Sequence, residues 1–137
     1  MKLEPGFTGM SGAPDCDQVG AYALIRDAEA RVLLVQAESG RFYLPGGRVE
    51  AGETPPEALA REVAEECGWS VRIGESVGER IQPILDGRIR LRATYWRAEL
   101  LSEMQGAAEH RMIWATRRHA AACLHRLADA EALRLLG

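Results

Sequence analysis

The stretch from Thr54 to Gly68 constrains the fold of this chain most, because both ends of a helix can be recognised in it. Thr54 is followed three residues later by Glu57, the spacing of a capping box, in which each side chain accepts a hydrogen bond from the other residue's backbone N–H. Two prolines occupy the first turn, where their missing N–H groups cost nothing. Glycine commonly follows the last helical residue. The pattern therefore predicts an α-helix over Pro55–Cys67.

Three glutamates on this helix, Glu62, Glu65 and Glu66, are spaced i, i+3 and i+4 and therefore share one edge. Like charges at this spacing destabilise an isolated helix by about a few tenths of a kcal/mol per pair. A hard divalent cation relieves the repulsion, since such ions are held by carboxylates together with water and substrate phosphates. By itself, the spacing also fits a solvated acidic face. A neighbouring stripe would anchor the helix to a sheet: Leu59, Val63 and Cys67.

The surroundings of the acidic edge favour a site over a solvated face. Arg61 can pair with Glu53 or with Glu65 and so hold a carboxylate in one rotamer. Upstream, Pro45–Gly47 supplies a tight backbone turn in which a carbonyl can point at a metal without side-chain obstruction.

Apolar segments on both sides of the helix predict strands. They are Val19–Arg26, Val32–Val35, Phe42–Leu44, Val71–Val77, Ile89–Glu99 and Met112–Ala115. We expect the first two to form a hairpin and the third to be stopped by Pro45–Gly47. The Ala- and Leu-rich stretch Arg117–Leu136 predicts one or two helices, and the Gly-, Pro-, Ser- and Asp-rich residues 1–17 predict a poorly ordered N-terminal segment. Strands around a central helix indicate a mixed α/β layered domain.

Length and charge limit the kinds of function this chain can have. Its 137 residues fit one domain, and 17 basic against 20 acidic side chains give a net charge of −3, which disfavours binding to long nucleic acids. Three widely spaced cysteines show no zinc-ligand spacing. No apolar run approaches the roughly 18–20 residues of a membrane span, and the N-terminus lacks the apolar stretch of a signal peptide. We expect a cytoplasmic protein with no membrane partner.

The segment from Gly47 to Trp69 resembles the Nudix box of the Nudix hydrolase family. Gly47 is followed after five residues by Glu53 and after seven more by the run REVAEECG. Trp69 stands where the family usually has an aliphatic residue, and we expect local repacking there with no loss of activity. The resemblance implies an α/β fold, the Nudix-type α/β/α sandwich with a mixed β-sheet, over residues 18–137. It also implies Mg²⁺- or Mn²⁺-assisted hydrolysis of a nucleoside diphosphate linked to another moiety, usually with release of a nucleoside monophosphate.

The same resemblance implies roles for individual residues. The expected metal ligands are Glu62, Glu65, Glu66 and the carbonyl of Gly46, with Glu65 alternatively activating the attacking water. Arg61 and Glu53 are expected to orient the carboxylates. Nudix enzymes often add an acid from a loop before a late strand, and Glu109 matches that place, in competition with Glu103 and Glu99.

Substrate contacts are less determined than metal ligands. Arg48, directly after the double glycine, and Arg90, on a strand with alternating arginines, could grip phosphates, and Phe42 could stack on a base. An arginine on a strand, such as Arg90, more commonly lies on a solvated sheet face. An aromatic residue on a strand, such as Phe42, more commonly lies in the core. The favoured substrates are nucleoside triphosphates or their derivatives. ADP-ribose, suggested by Pro83, and nucleotide sugars remain alternatives, as do RNA-end processing and a non-catalytic nucleotide-sensing module. The sequence does not decide whether the C-terminal stretch also forms a homodimer interface.

Overall fold

Two β-sheets and three α-helices make up the described part of the chain, residues 16–136 of a computed structural model. The elements are β1 (Cys16–Ile25), β2 (Val32–Gln36), β3 (Phe42–Tyr43), β4 (Gly46–Arg48), α1 (Pro55–Cys67), β5 (Trp69–Ile84), β6 (Ile89–Glu103), β7 (Arg111–Ala115), α2 (Arg117–Cys123), α3 (Leu127–Ala132) and a 3₁₀ turn at Leu133–Leu136. One sheet has the strand order β4-β1-β6-β5 and the other has the order β3-β2-β7. The predicted N-terminal segment lies outside the described residues, except for its last two, which begin β1.

Strand β1 is one of the two inner strands of the four-stranded sheet. It pairs in parallel with β6 along its whole length and antiparallel with β4, so the sheet is mixed. The predicted hairpin between β1 and β2 is wrong, because the two strands lie in different sheets and meet only at a bridge between Arg26 and Val32. The residues from Gly20 to Ile25 are all buried, and a strand covered on both faces belongs in the interior of a sheet.

The third predicted strand ends before Pro45–Gly47, as expected, since β3 stops at Tyr43. The sequence did not predict that Gly46–Arg48 then forms a further strand, β4, which pairs with Gly20–Tyr22 of β1. Gly46 has φ +141°, and a Cβ there would collide with the backbone of β1. The missing side chain therefore lets the two backbones approach closely, which only glycine permits here.

Helix α1 has the predicted bounds and both predicted caps. The Thr54 hydroxyl accepts a hydrogen bond from the Glu57 N–H at 3.2 Å, and the Glu57 carboxylate accepts one from the Thr54 N–H at 2.8 Å. Gly68 ends the helix in the left-handed conformation, with φ +72°. Strands β5 and β6 run further than predicted, and the C-terminal stretch forms α2, α3 and the 3₁₀ turn.

Two apolar cores lie on opposite sides of the central strands, which confirms the predicted α/β/α sandwich. On β1, Ala21, Ala23 and Ile25 contribute to the core that contains Leu59 and Val63 of α1. The alternate residues contribute to the core beneath α2 and α3, with Tyr22, Leu24, Tyr95, Ala120, Ala132 and Leu133 among its members. Within residues 16–136, the helices are too short or too polar to cross a membrane.

Candidate functional site

The acidic edge of α1 lies against the backbone of β4. The Gly46 N–H donates a hydrogen bond to Oε1 of Glu66 at 3.0 Å. At the next residue, Gly47, the absent side chain leaves room for the carboxylate of Glu62, which a Cβ would strike. The double glycine therefore brings two of the three predicted carboxylates up to strand β4, while Glu65 stays more exposed.

Arg61 pairs with Glu53, one of the two partners that the sequence predicted for it. Its Nε and Nη2 donate to the two oxygens of Glu53 at 2.7 and 2.9 Å, a bidentate pair. Nη2 also donates to the Arg48 carbonyl at 3.1 Å, and Nη1 donates to Glu62 at 3.3 Å. The hydrogen bonds from Arg61 and from the Glu50 N–H lower the pKa of Glu53 to about 2. Arg61 thereby links α1, the preceding turn and β4.

The carboxylates on this edge are close enough that the negative charge of one disfavours the ionised form of another. Burial, and then the charges of Glu62, Glu109 and Glu65, raises the pKa of Glu66 to about 8, although the Gly46 N–H opposes the shift. Burial also raises the pKa of Glu62, with Glu65 and Glu109 acting in the same direction and Arg61 against it. This crowding of negative charge is what a bound cation would relieve.

The loop before β7 brings Glu109 to the same place. The N–H groups of Glu109 and His110 donate to the carbonyls of Glu65 and Glu66 at 3.0 and 3.1 Å, so the loop satisfies backbone groups at the end of α1. The charge of the exposed Glu109 side chain acts on Glu62 and Glu66. The competing Glu99 and Glu103 lie in β6 instead.

His110 is a residue that sequence reasoning missed. Its Nε2 lies 3.9 Å from Oε2 of Glu66, and its buried Nδ1 has no hydrogen-bond partner within residues 16–136. The histidines of this chain show no ligand spacing in the sequence. The signal that could have found His110 is its position next to Glu109 in a loop that returns to the helix end.

The donor set has the chemistry of a hard-cation site. Within the described residues, no three His, Cys, Asp or Glu side chains are gathered closely enough to enclose an ion. The converging groups are carboxylates, of which Glu62 and Glu66 have raised pKa values, and Mg²⁺ is commonly held by one or two carboxylates while water and substrate phosphates supply its other ligands. Glu62, Glu65 and Glu66 do not enclose an ion by themselves, and they fit one whose remaining ligands come from water and substrate.

A cleft of about 280 Å³ runs beside the acidic edge, a size near the lower end of roughly 300–1,000 Å³ for small-molecule sites. Its lining includes Gly46, Gly47, Arg48 and Glu66. Side chains from three further segments also line it, Tyr22, Tyr43 and Arg126. The predicted phosphate contact Arg48 therefore lines the cleft.

Phe42 and Arg90, the other two predicted substrate contacts, lie elsewhere. Phe42 packs against the core below α2 and pairs with Leu124, and the next residue in β3, Tyr43, lines the cleft instead. Arg90 forms a bidentate ion pair with Asp17 at 2.9 and 2.8 Å on the exposed surface. Successive side chains of a strand point to opposite faces of the sheet, so choosing a residue one position away selects the wrong face. This explains both differences.

Comparison with known proteins gives both a family and a fold. A family model described as NUDIX domain matches residues 17–136. A Mycobacterium tuberculosis protein named as a candidate 8-oxo-dGTP diphosphatase is 46% identical over 82 residues, covering 57% of this chain and 55% of that protein. A Methanocaldococcus jannaschii protein named ADP-ribose pyrophosphatase is 37% identical over 68 residues, covering 47% of this chain and 40% of that protein. The chain thus spans about half the length of these curated relatives. The solution structure of the E. coli ORF135 protein is 27% identical, with a TM-score of 0.72 and 88% of each chain covered.

Proposed function

The chain belongs to the NUDIX domain family, and on this premise we propose that it hydrolyses the pyrophosphate bond of nucleoside triphosphates or related nucleoside diphosphate derivatives, assisted by Mg²⁺ or Mn²⁺. The observation that carries the proposal is the acidic edge of α1, which meets the double glycine of β4 beside a cleft. Phosphoryl transfer mainly requires positioning and charge neutralisation, and this arrangement is suited to both.

The ion would be held by Glu62, Glu65, Glu66 and the Gly46 carbonyl, and it would neutralise charge on the substrate phosphates when bound. Arg61 and Glu53 are positioning residues, because their bidentate pair fixes the turn that leads into α1.

In the reaction, a water oxygen forms a bond to one phosphorus of the pyrophosphate, and the bond from that phosphorus to the bridging oxygen breaks. Glu65 is the most exposed of the three helix glutamates, and its alternative role to holding the ion is to take the proton from this water. Glu109 adds a further negative charge beside Glu62 and Glu66 and so favours cation binding. Arg48, which lines the same cleft as Glu66, contacts a phosphate of the substrate.

The substrate we favour is a nucleoside triphosphate, since a relative named as a candidate 8-oxo-dGTP diphosphatase shares 46% identity over 82 residues. ADP-ribose is a second candidate, supported by the relative named ADP-ribose pyrophosphatase. A non-catalytic sensing module is disfavoured, because Glu53, Arg61 and the three helix glutamates are all present. We propose a cytoplasmic location and a small-molecule nucleotide substrate.

The test is hydrolysis of a panel of nucleoside triphosphates, ADP-ribose, dinucleoside polyphosphates and nucleotide sugars with Mg²⁺, Mn²⁺ or EDTA. Glu66→Gln should reduce turnover by at least roughly 100-fold, because it removes a ligand charge. Glu131→Gln, an exposed change on α3, is the matched control and should retain turnover. Equal rates for the wild type and Glu66→Gln, or no hydrolysis anywhere on the panel, would contradict the proposal.

A further inference from the structure

The ring of Tyr22 fills a space that two glycines leave open. Tyr22 is 5% exposed and lies opposite Gly46 of β4 in the strand register. A Cβ on Gly46 would lie 2.9 Å from Cδ1 of this ring, and a Cβ on Gly20 would lie 2.6 Å from its Cε2. Both distances are shorter than carbon atoms can pack. One edge of the ring therefore packs against Gly46, and the other edge packs over Gly20.

The hydroxyl end of the Tyr22 ring is held by Arg126. Its Nη1 donates a hydrogen bond to the Tyr22 hydroxyl at 3.0 Å, and its guanidinium carbon lies 5.2 Å from the ring centroid of Tyr43, within cation–π range. The backbone beside Arg126 is also fixed, because the His125 N–H donates to the Phe42 carbonyl at 2.9 Å. The Tyr22 side chain is thus held at both ends, by strand β1 and by the segment between α2 and α3.

Gly46 is the residue through which this ring meets the candidate site. Its N–H donates to Oε1 of Glu66 at 3.0 Å, and its carbonyl is one of the ligands that we propose for the ion. Glycine has no side chain to limit the rotation of its two peptide groups, so neighbouring atoms must limit it. On the Cβ side of Gly46 the nearest atoms belong to Ala21 and Tyr22, and the nearest side chain is the Tyr22 ring.

We propose that Tyr22 is a positioning residue, whose ring holds the backbone of Gly46 in the orientation that binds the ion. The inference rests on the proposed function for the ion and for the Gly46 carbonyl as its ligand. Groups that contact a metal ligand orient it, and their loss commonly lowers metal affinity about 10–100-fold. The ring provides this support, since the hydroxyl lies over Gly20 and towards Arg126.

The test is Mn²⁺ binding with no nucleotide present, measured from the electron paramagnetic resonance signal of unbound Mn²⁺. Tyr22→Leu should raise the Kd for Mn²⁺ at least about tenfold, whereas Tyr22→Phe keeps the ring and should stay within about twofold of the wild type. Tyr95→Leu is the matched control and should leave the Kd unchanged, because Tyr95 lies opposite Tyr22 on β6, the neighbour of β1 away from β4. Partial misfolding lowers the number of sites and not the Kd of those that remain, so a purely structural role of Tyr22 would not move the Kd.

Gly20→Ala displaces the ring without removing it. Gly20 lies outside the left-handed backbone region, so alanine can adopt its backbone, and the new Cβ forces the Tyr22 ring to move. This variant should also raise the Kd at least about tenfold, and with Tyr22→Phe it decides the matter if Tyr22→Leu does not fold. A wild-type Kd in Tyr22→Leu or Gly20→Ala, or a rise as large in Tyr22→Phe or Tyr95→Leu, would overturn the inference. A wild-type chain that binds no Mn²⁺ would overturn the metal site of the proposed function as well, whereas metal-dependent hydrolysis by the wild type together with an unchanged Kd in Tyr22→Leu would overturn the inference alone.

Discussion

Replacing Gly47 with alanine should displace the Glu62 carboxylate while leaving the fold intact. A Cβ at this position would lie 2.6 Å from Cδ of Glu62, closer than carbon atoms can pack, and 3.1 Å from its Cγ. The backbone of Gly47 lies outside the left-handed region, so alanine can adopt it. The carboxylate must therefore move away from β4, and the ion that we propose it holds loses a ligand.

The two consequences differ in size. A Gly→Ala change at a compatible backbone position stabilises by about 0.4–1 kcal/mol through the unfolded chain. Loss of the 3.3 Å contact between Arg61 and Glu62 costs about 0.2–1 kcal/mol. The free energy of unfolding should therefore change by less than about 1 kcal/mol. Misplacing a catalytic group by about 1 Å can cost roughly 100-fold in rate, so we expect kcat/KM to fall at least tenfold.

Gly46→Ala is the contrasting variant, one residue away. Gly46 has φ +141°, and a Cβ there would lie 2.8 Å from the Tyr22 Cα, a backbone atom that cannot swing aside as the Glu62 side chain can. The backbone strain alone costs roughly 1–3 kcal/mol, so this variant should lose several degrees of Tm. The assay is thermal unfolding by circular dichroism together with initial rates over a Mg²⁺ titration. If Gly47→Ala kept wild-type kcat/KM and Mg²⁺ requirement, or lost as much Tm as Gly46→Ala, the reasoning would be refuted.

Three further predictions concern stability. Thr54→Ala should lower the free energy of unfolding by about 0.5–2 kcal/mol, measured by urea denaturation, because the α1 cap is lost. Tyr95→Phe should lower it by roughly 1–3 kcal/mol in the same assay, since buried Asp129 loses its hydrogen-bond donor. The pKa of Glu53 is lowered to about 2 from an ordinary 4.5, so its stabilising pair with Arg61 is fully present above pH 4.5 and lost as pH falls towards 2. The Tm difference between wild type and Glu53→Gln should shrink over that range, and a constant difference would contradict the pairing.

Helix α1 could be read from the sequence because its signals are local. The cap, the first-turn prolines, the three glutamates and the terminal glycine lie within one short stretch, and each acts on neighbours a few residues away. The same locality made the Arg61–Glu53 pair predictable, since the two residues are only 8 positions apart in the sequence.

Strand pairing was less predictable because it depends on distant residues. Nothing in Val19–Arg26 indicates that its parallel partner begins at Ile89, some seventy positions later. The polar turn after β1 looked like the tip of a hairpin, and Asp27 does accept hydrogen bonds from the Glu29 and Arg31 N–H groups there. The turn forms as expected, but it passes the chain from one sheet to the other.

The candidate site likewise combines residues that are close in the sequence with residues that only the fold brings together. The acidic edge comes from one helix, so spacing placed its three glutamates on one face, while the family resemblance gave them roles. Other lining residues of the cleft, Tyr22, Tyr43 and Arg126, belong to β1, β3 and the segment between α2 and α3, and no local spacing brings them together. The family motif, which runs from β4 through the turn and α1, therefore carries the proposed chemistry without fixing the base, which is consistent with relatives named for different nucleotide substrates.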